Sequence, residues 1–153
     1  MWQIFRKLLF DAVRTPRSIY SSLKRKAVDH SRTHRLWRRK RHDGAYTYDV
    51  ISACYNVAPY LDAYFHSLTE QILDFRRHIR LIMVDDGSTD GTASVIDFWR
   101  RRYPENIVYI RQENKGQAAA RNIGLDVVSA PWVTFIDPDD FVDVIYFARV
   151  DDF

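Results

Sequence analysis

Between Tyr46 and Ile136 the chain repeatedly alternates a short β-branched apolar run with a stretch of helical character, and this constrains its fold more than any other feature. Strands are expected at Asp49 to Cys54, Arg80 to Val84, Ile107 to Ile110 and Trp132 to Ile136. Helices are expected from about Pro59 to Ile72, Thr92 to Arg102 and Gln117 to Val128, with a short closing helix over Asp143 to Phe153. Crossover helices of this length join parallel neighbours through right-handed connections, so an α/β, mostly parallel, Rossmann-like sheet follows.

Two of these runs end in carboxylates, Asp85-Asp86 in LIMVDDGSTDGT and Asp137, Asp139 and Asp140 in VTFIDPDDF. In an open α/β sheet the ligand crevice lies beyond the carboxyl ends of the strands, so the acids sit where ligands bind. Oxygen donors alone suit a hard cation such as Mg²⁺ or Mn²⁺, which also offsets repulsion among the anions. Asp-Asp-Gly-Ser and Asp-Pro-Asp-Asp are also ordinary turn and helix-cap sequences. Two such clusters in succession at strand ends favour the ligand.

At 153 residues and 46% hydrophobic content the chain can form one domain with a real core. It contains no apolar run of about 18 residues, the length needed to span a bilayer. The opening MWQIFRKLLFDAV is too interrupted by charge for a signal-peptide core. The single cysteine, Cys54, lies within a strand pattern, which favours packing and a reducing compartment over reactivity.

The net charge of +3 hides an asymmetry: residues 1 to 45 carry +10 and residues 46 to 153 carry −7. Two units are therefore expected, a basic amphipathic helical arm over 1 to 45 and the α/β part over 46 to 153. The arm sets Trp2, Ile4, Phe5, Leu8, Leu9 and Val13 among Arg6, Lys7 and Arg14. Such a segment suits an anionic membrane surface, each Lys or Arg near it contributing about 1 kcal/mol. Nucleic acid is the rival partner, since the run Arg38 to Arg41 beside Trp37 could meet phosphates, and a solvated tail is the bland alternative. Apolar residues at the extreme N-terminus favour membrane, placing the protein in the cytoplasm, peripheral on the inner face, with no nucleic acid expected.

The succession SACYNVAPYL, LIMVDDGSTDGT, ENKGQAAARNIGL and VTFIDPDDF resembles the amino-terminal, nucleotide-binding half of a family 2 glycosyltransferase, with the fold known as glycosyltransferase A. The resemblance covers about residues 48 to 153. It implies transfer of a sugar from a nucleotide diphosphate donor, usually a UDP-sugar, to a saccharide or lipid-linked acceptor, usually with inversion, in polysaccharide or cell-surface glycan synthesis. By the same resemblance Tyr55 stacks on the donor base, although a core aromatic is the alternative, and Asn56 organises the loop. Asp86 reads the uracil imide N–H, a contact that needs an acceptor. Asp85 holds the turn, and Gly87 to Gly91 supply turn and capping chemistry. Arg121 offers a fork to a phosphate or the base, with Asn122 orienting it; a surface arginine is the bland reading.

Asp137, Pro138 and Asp139 match the family's DxD element. The resemblance makes Asp139 a ligand of Mg²⁺ or Mn²⁺, and has Asp137 contact the ribose or support the metal shell. It also places the general base well downstream of this element, so no catalytic base is assigned within the chain; Asp143, Asp151 and Asp152 lie too close. The sequence accordingly reads as part of a longer enzyme. Ala53-Cys54 stands where the family often has proline or threonine, which leaves base contacts from that strand open. A phospho-receiver domain fits less well, because its acid pair follows the first strand and a lysine completes its site. A noncatalytic nucleotide-sugar-binding protein remains the alternative function.

Overall fold

The computed structural model of the chain describes residues 46 to 151. The expected basic arm, residues 1 to 45, lies outside the described residues, as do 152 and 153. The order of elements is β1 (Tyr48–Cys54), α1 (Ala58–Thr69), α2 (Phe75–His78), β2 (Ile79–Asp86), α3 (Thr92–Arg102), β3 (Ile107–Gln112), α4 (Gln117–Asp126), β4 (Trp132–Phe135) and α5 (Tyr146–Asp151). The strands form one parallel sheet in the order β3-β2-β1-β4. The α/β, mostly parallel sheet expected from the alternating pattern is therefore present. Its order runs 3-2-1 and then jumps to 4, so the direction of winding reverses between β1 and β4. Ligands bind at such a switch point.

β1 is buried along its whole length, and its alternating side chains serve two faces. Ile51 and Ala53 join Ile82, Val84 and Ala120 of α4 in one core cluster. Ser52, on the opposite face, bonds Tyr64 of α1. Helices thus cover both faces, which accounts for continuous apolar runs where a one-sided sheet would alternate. α4 lies close to β1 because its inner residues are small: a Cβ on Gly124 would come within 2.4 Å of Ile51 Cγ2.

α1 starts with Pro59 in its first turn and buries Leu61, Tyr64, Phe65 and Leu68, a helical spacing. Phe65 stacks on Trp99 of α3 at 5.2 Å, and Trp99 Nε1 donates to Asp62 Oδ1 at 2.9 Å, tying α3 to α1. Arg100, Arg101 and Arg102 end α3, where cations complement the helix dipole.

Several boundaries differ from those the sequence suggests. The first helix stops at Thr69 and not near Ile72. Gln71 turns inward instead, donating through Nε2 to Ser67 O and Asp143 O at 2.8 Å and accepting Phe147 N–H, while Ile72 N–H bonds Val144 O. These bonds dock the segment ahead of α5 and outcompete another helical turn. α2 was not anticipated; Asp74 Oδ1 caps it by accepting Arg76 N–H. β2 runs two residues past Val84 because Asp85 and Asp86 stay in register with Arg111 and Gln112 of β3. β4 ends at Phe135, one residue early, and α5 begins at Tyr146, three residues after the start expected for the closing helix.

Candidate functional site

The loops that follow β1 and β2 are stitched together. Asn56 has φ +54°, a left-handed conformation that asparagine tolerates. Its Oδ1 accepts Thr89 N–H at 2.8 Å and Asp90 N–H at 3.3 Å, and Ser88 Oγ accepts Asn56 N–H at 3.0 Å. Asp90 accepts from Thr92 N–H and Ala58 N–H, so one carboxylate ties the starts of α3 and α1. Asn56 as loop organiser and Ser88 to Asp90 as turn chemistry agree with this geometry. Tyr55, the first residue beyond β1, is half exposed, which leaves its ring open to a planar ligand.

Asp85 is fully buried; Oδ1 accepts Ser88 N–H and Oδ2 accepts Tyr109 O–H, both at 2.8 Å. It holds the turn. Burial first, then the bond and charge of Asp85, push Tyr109 up to about 12, so it remains a donor. Asp86 reaches the other way. Its Oδ1 accepts Lys115 N–H at 2.8 Å and the Gln112 side-chain amide, and its Oδ2 accepts Gly116 N–H at 2.8 Å. Burial alone would raise its pKa, but the bonds from Gln112, Lys115 and Gly116 together hold it below the usual carboxylate range. A carboxylate offers about four lone-pair sites, so one acceptor position, on Oδ2 of this buried residue, is not used by a protein donor among the described residues. Gln112 Oε1, by contrast, is buried with no partner among the described residues, because Asp86 fixes the amide the other way round.

The Lys115–Gly116 turn leads into α4, which faces the second cluster. Gln117 Nε2 donates to Asp137 Oδ1 at 3.3 Å and Arg121 Nη2 to the same oxygen at 2.7 Å. Residues 117 and 121 are one helical turn apart, so their side chains emerge on one face. The Arg121 guanidinium also lies over the Phe135 ring, 5.6 Å from its centroid. Arg121 is thus already committed to Asp137, and any phosphate or base contact would compete with that pair. Beyond Asp137 the chain turns, with Asp140 N–H bonded to Asp137 O at 2.9 Å, and Asp139 projects into solvent. Burial, then the charges of Asp139 and Asp137, raise the pKa of Asp140.

Among the described residues no group of three ligating side chains converges on one point. A cation here would take carboxylate oxygens from Asp139 and Asp137 and fill its remaining positions with ligand oxygens or water, as Mg²⁺ commonly does. The donor chemistry and the crowded negative charge fit such an ion. Sequence reasoning missed Gln112, Gln117 and the pairing of Arg121 with Asp137; only the four-residue spacing of Gln117 and Arg121 carried a signal.

The family model described as "Glycosyl transferase family 2" matches residues 49–149. The minor teichoic acid biosynthesis protein GgaB of Bacillus subtilis is 37% identical over 105 residues, 69% of this chain and 12% of the relative. Glycosyltransferase GlyA of Streptococcus pneumoniae is 38% identical over 97 residues, 63% of this chain and 13% of its own length. This chain therefore spans only a small part of these relatives. Among solved structures, S. aureus TarS in complex with UDP-GlcNAc superposes with a TM-score of 0.64 at 25% identity, over 69% of this chain and 30% of that one. The mannosyltransferase PcManGT of Pyrobaculum calidifontis, in complex with GDP-Man and Mn²⁺, gives 0.63 at 27%, over 80% and 37%. With the carboxylates of β2 and β4 gathered beside a switch point in this sheet, and the model match covering most of the described residues, the chain belongs to glycosyl transferase family 2.

Proposed function

We propose that this chain carries the donor site of a glycosyltransferase that takes a UDP-sugar with Mg²⁺ or Mn²⁺ and delivers the sugar, with inversion, to a saccharide or lipid-linked acceptor in cell-surface polysaccharide synthesis. The observation that carries the reading is the bridge formed by residues 115 to 121. Backbone amides of Lys115 and Gly116 hold Asp86, and side chains of Gln117 and Arg121 hold Asp137, so one short segment couples the two carboxylates across the end of β1. Asp86, kept ionised, presents its free lone pair to an imide N–H, and Tyr55 offers a stacking face. Asp137 and Asp139 lie on the far side, where a diphosphate would follow the base and ribose. A cation bound there would supply Lewis-acid neutralisation of charge on the departing diphosphate. Teichoic acid synthesis by relatives supports the acceptor class, and the UDP-GlcNAc complex of TarS supports the donor class.

A thermal shift tests the donor. UDP at 100 times its dissociation constant adds about 2.7 kcal/mol, a rise on the order of 10 °C for a domain this size. A shift with UDP and Mn²⁺ no larger than with AMP, or than with UDP and EDTA, would refute the assignment. The proposal extends to the basic arm, which would bring the protein to the anionic inner face of the cytoplasmic membrane. Cosedimentation with anionic vesicles that ignores both added salt and deletion of residues 1 to 45 would sink that part.

A further inference from the structure

The last register pair between β1 and β4 is Ile51 with Phe135, and Ile136 N–H still bonds Ile51 O at 3.2 Å. Beyond it β1 continues through Ser52 to Cys54 while the other chain leaves the sheet toward Asp137. The Ile136 carbonyl falls at this point of divergence, and Ser52 Oγ donates to it at 2.7 Å. Ser52 has one hydroxyl proton and it is used here, so the bond between Ser52 Oγ and Tyr64 Oη has Tyr64 as donor. The result is a one-way relay, Tyr64 O–H to Ser52 O–H to Ile136 O. All of it is buried, with Ser52 and Tyr64 fully so. Burial pushes the Tyr64 hydroxyl above the usual tyrosine range, so at neutral pH it stays protonated and can donate.

Two hydroxyls in an apolar core cost stability unless bonded, and bonds in series polarise one another. An apolar residue at 52 would leave the Ile136 carbonyl and the Tyr64 hydroxyl without these bonds. The relay instead fixes a carbonyl one residue ahead of Asp137 and three ahead of Asp139. We propose that Ser52 and Tyr64 are positioning residues that set the backbone from which Asp137 and Asp139 meet the diphosphate and its cation. This rests on the reading of those two acids as donor-side groups. Neither hydroxyl touches the ligand; both act through the Ile136 peptide.

The test uses the full chain with Ser52→Ala, Tyr64→Phe, the double variant and Ser52→Thr, which restores a hydroxyl. Amide exchange is read first, without ligand. Ser52→Ala should speed exchange of the Asp140 amide about fivefold relative to β1 and β2 amides, the loss of one buried bond, and Ser52→Thr should reverse it. Titration with UDP should then show the Mn²⁺-dependent gain in affinity falling by about fivefold in Ser52→Ala and by less in Tyr64→Phe, where the Ile136 bond survives. Exchange that is unchanged over residues 136 to 140, or that accelerates across the whole sheet in step, would overturn the proposal. So would an Mn²⁺-dependent affinity equal to the parent's. If the parent shows no Mn²⁺-dependent UDP binding, the donor reading fails, and the exchange data still decide the role of Ser52.

Discussion

Replacing Gly116 with alanine isolates the backbone's contribution to the site. Gly116 has φ +88° and ψ 159°, a region that L side chains avoid, yet a Cβ built there meets nothing within 4 Å. The substitution therefore introduces torsional strain and no collision. Holding the native torsions would cost about 1–3 kcal/mol. The chain can escape by rotating to negative φ, but this swings Gly116 N–H away from Asp86 Oδ2 and gives up a hydrogen bond to a charged group worth about 1.5–3 kcal/mol. The two routes cost about the same, so stability should fall by about 2 kcal/mol either way. Residues 113 to 118 are exposed, so relaxation is the easier route, and it shifts Asp86, Gln117 and Arg121 together. Gly116→Ala should then lose about 10 °C in Tm and bind UDP at least about tenfold more weakly. Urea unfolding and calorimetric titration measure both. A stability loss under about 0.5 kcal/mol, within the ordinary range for surface substitutions, would refute the argument from strain. Native UDP affinity in a destabilised variant would show that the 115 to 121 bridge does not couple the carboxylates.

Asp139→Ala should abolish the Mn²⁺-dependent part of UDP affinity and leave the metal-free part unchanged; an equal loss in EDTA would move Asp139 from the cation to the nucleotide. Gly124→Ala brings a Cβ within 2.4 Å of Ile51 Cγ2 and should destabilise by about 1–3 kcal/mol, read as a lower urea midpoint, with an unmoved midpoint as the contrary result. Asp49 is buried and accepts from Arg80 twice and from the Ser129 and Ala130 amides. Burial would raise its pKa, but Arg80 and those amides bring it below the usual value, so its contribution is complete above the unfolded pKa of about 3.9 and is lost as pH falls through the lower folded value. Asp49→Asn should cost about 3 kcal/mol at pH 7, with the gap to the parent narrowing as pH falls below about 4; a gap that stays constant as pH falls would contradict the linkage.

The sheet was legible because each strand is an apolar run bounded by turn residues, and burial of β1 and β2 on both faces removes the ambiguity of alternation. The end of α1 was not, since Glu70-Gln71-Ile72 would continue a helix well; what stops it is Gln71 finding Asp143 and Phe147 more than 70 residues away. The extension of β2 escaped notice for a similar reason. Aspartate is a poor strand former, and pairing with Arg111 and Gln112 of β3, and of Asp85 with Cys54 of β1, keeps the two in the ladder. Asp85 and Asp90 were legible as turn and cap residues because each accepts an amide within three residues, Ser88 N–H and Thr92 N–H, whereas Asn56 organises its loop through Thr89 and Asp90, more than 30 residues on. The Arg121–Asp137 pair and the Ser52 relay were not legible, because each joins elements whose proximity the topology alone creates.

The aspartates differ in burial and in the donors the protein supplies to them. Asp49, at the amino end of β1 and away from the switch point, is fully buried with both oxygens bonded to the Arg80 guanidinium and Oδ2 also to two amides. Asp85 is sealed by Ser88 and Tyr109 with no surface left. Asp86 is ionised and anchored but keeps a lone pair free. Asp137 has one oxygen held by Gln117 and Arg121, and Asp139 is exposed with no hydrogen-bond partner among the described residues. Protein donors thus fall away from Asp86, proposed to meet the base, toward Asp137 and Asp139, proposed to meet the diphosphate. A neutral base edge needs a rigid, well-oriented acceptor. A diphosphate with its cation brings its own charge and coordination, and it is better met by carboxylates that keep an oxygen free of protein donors.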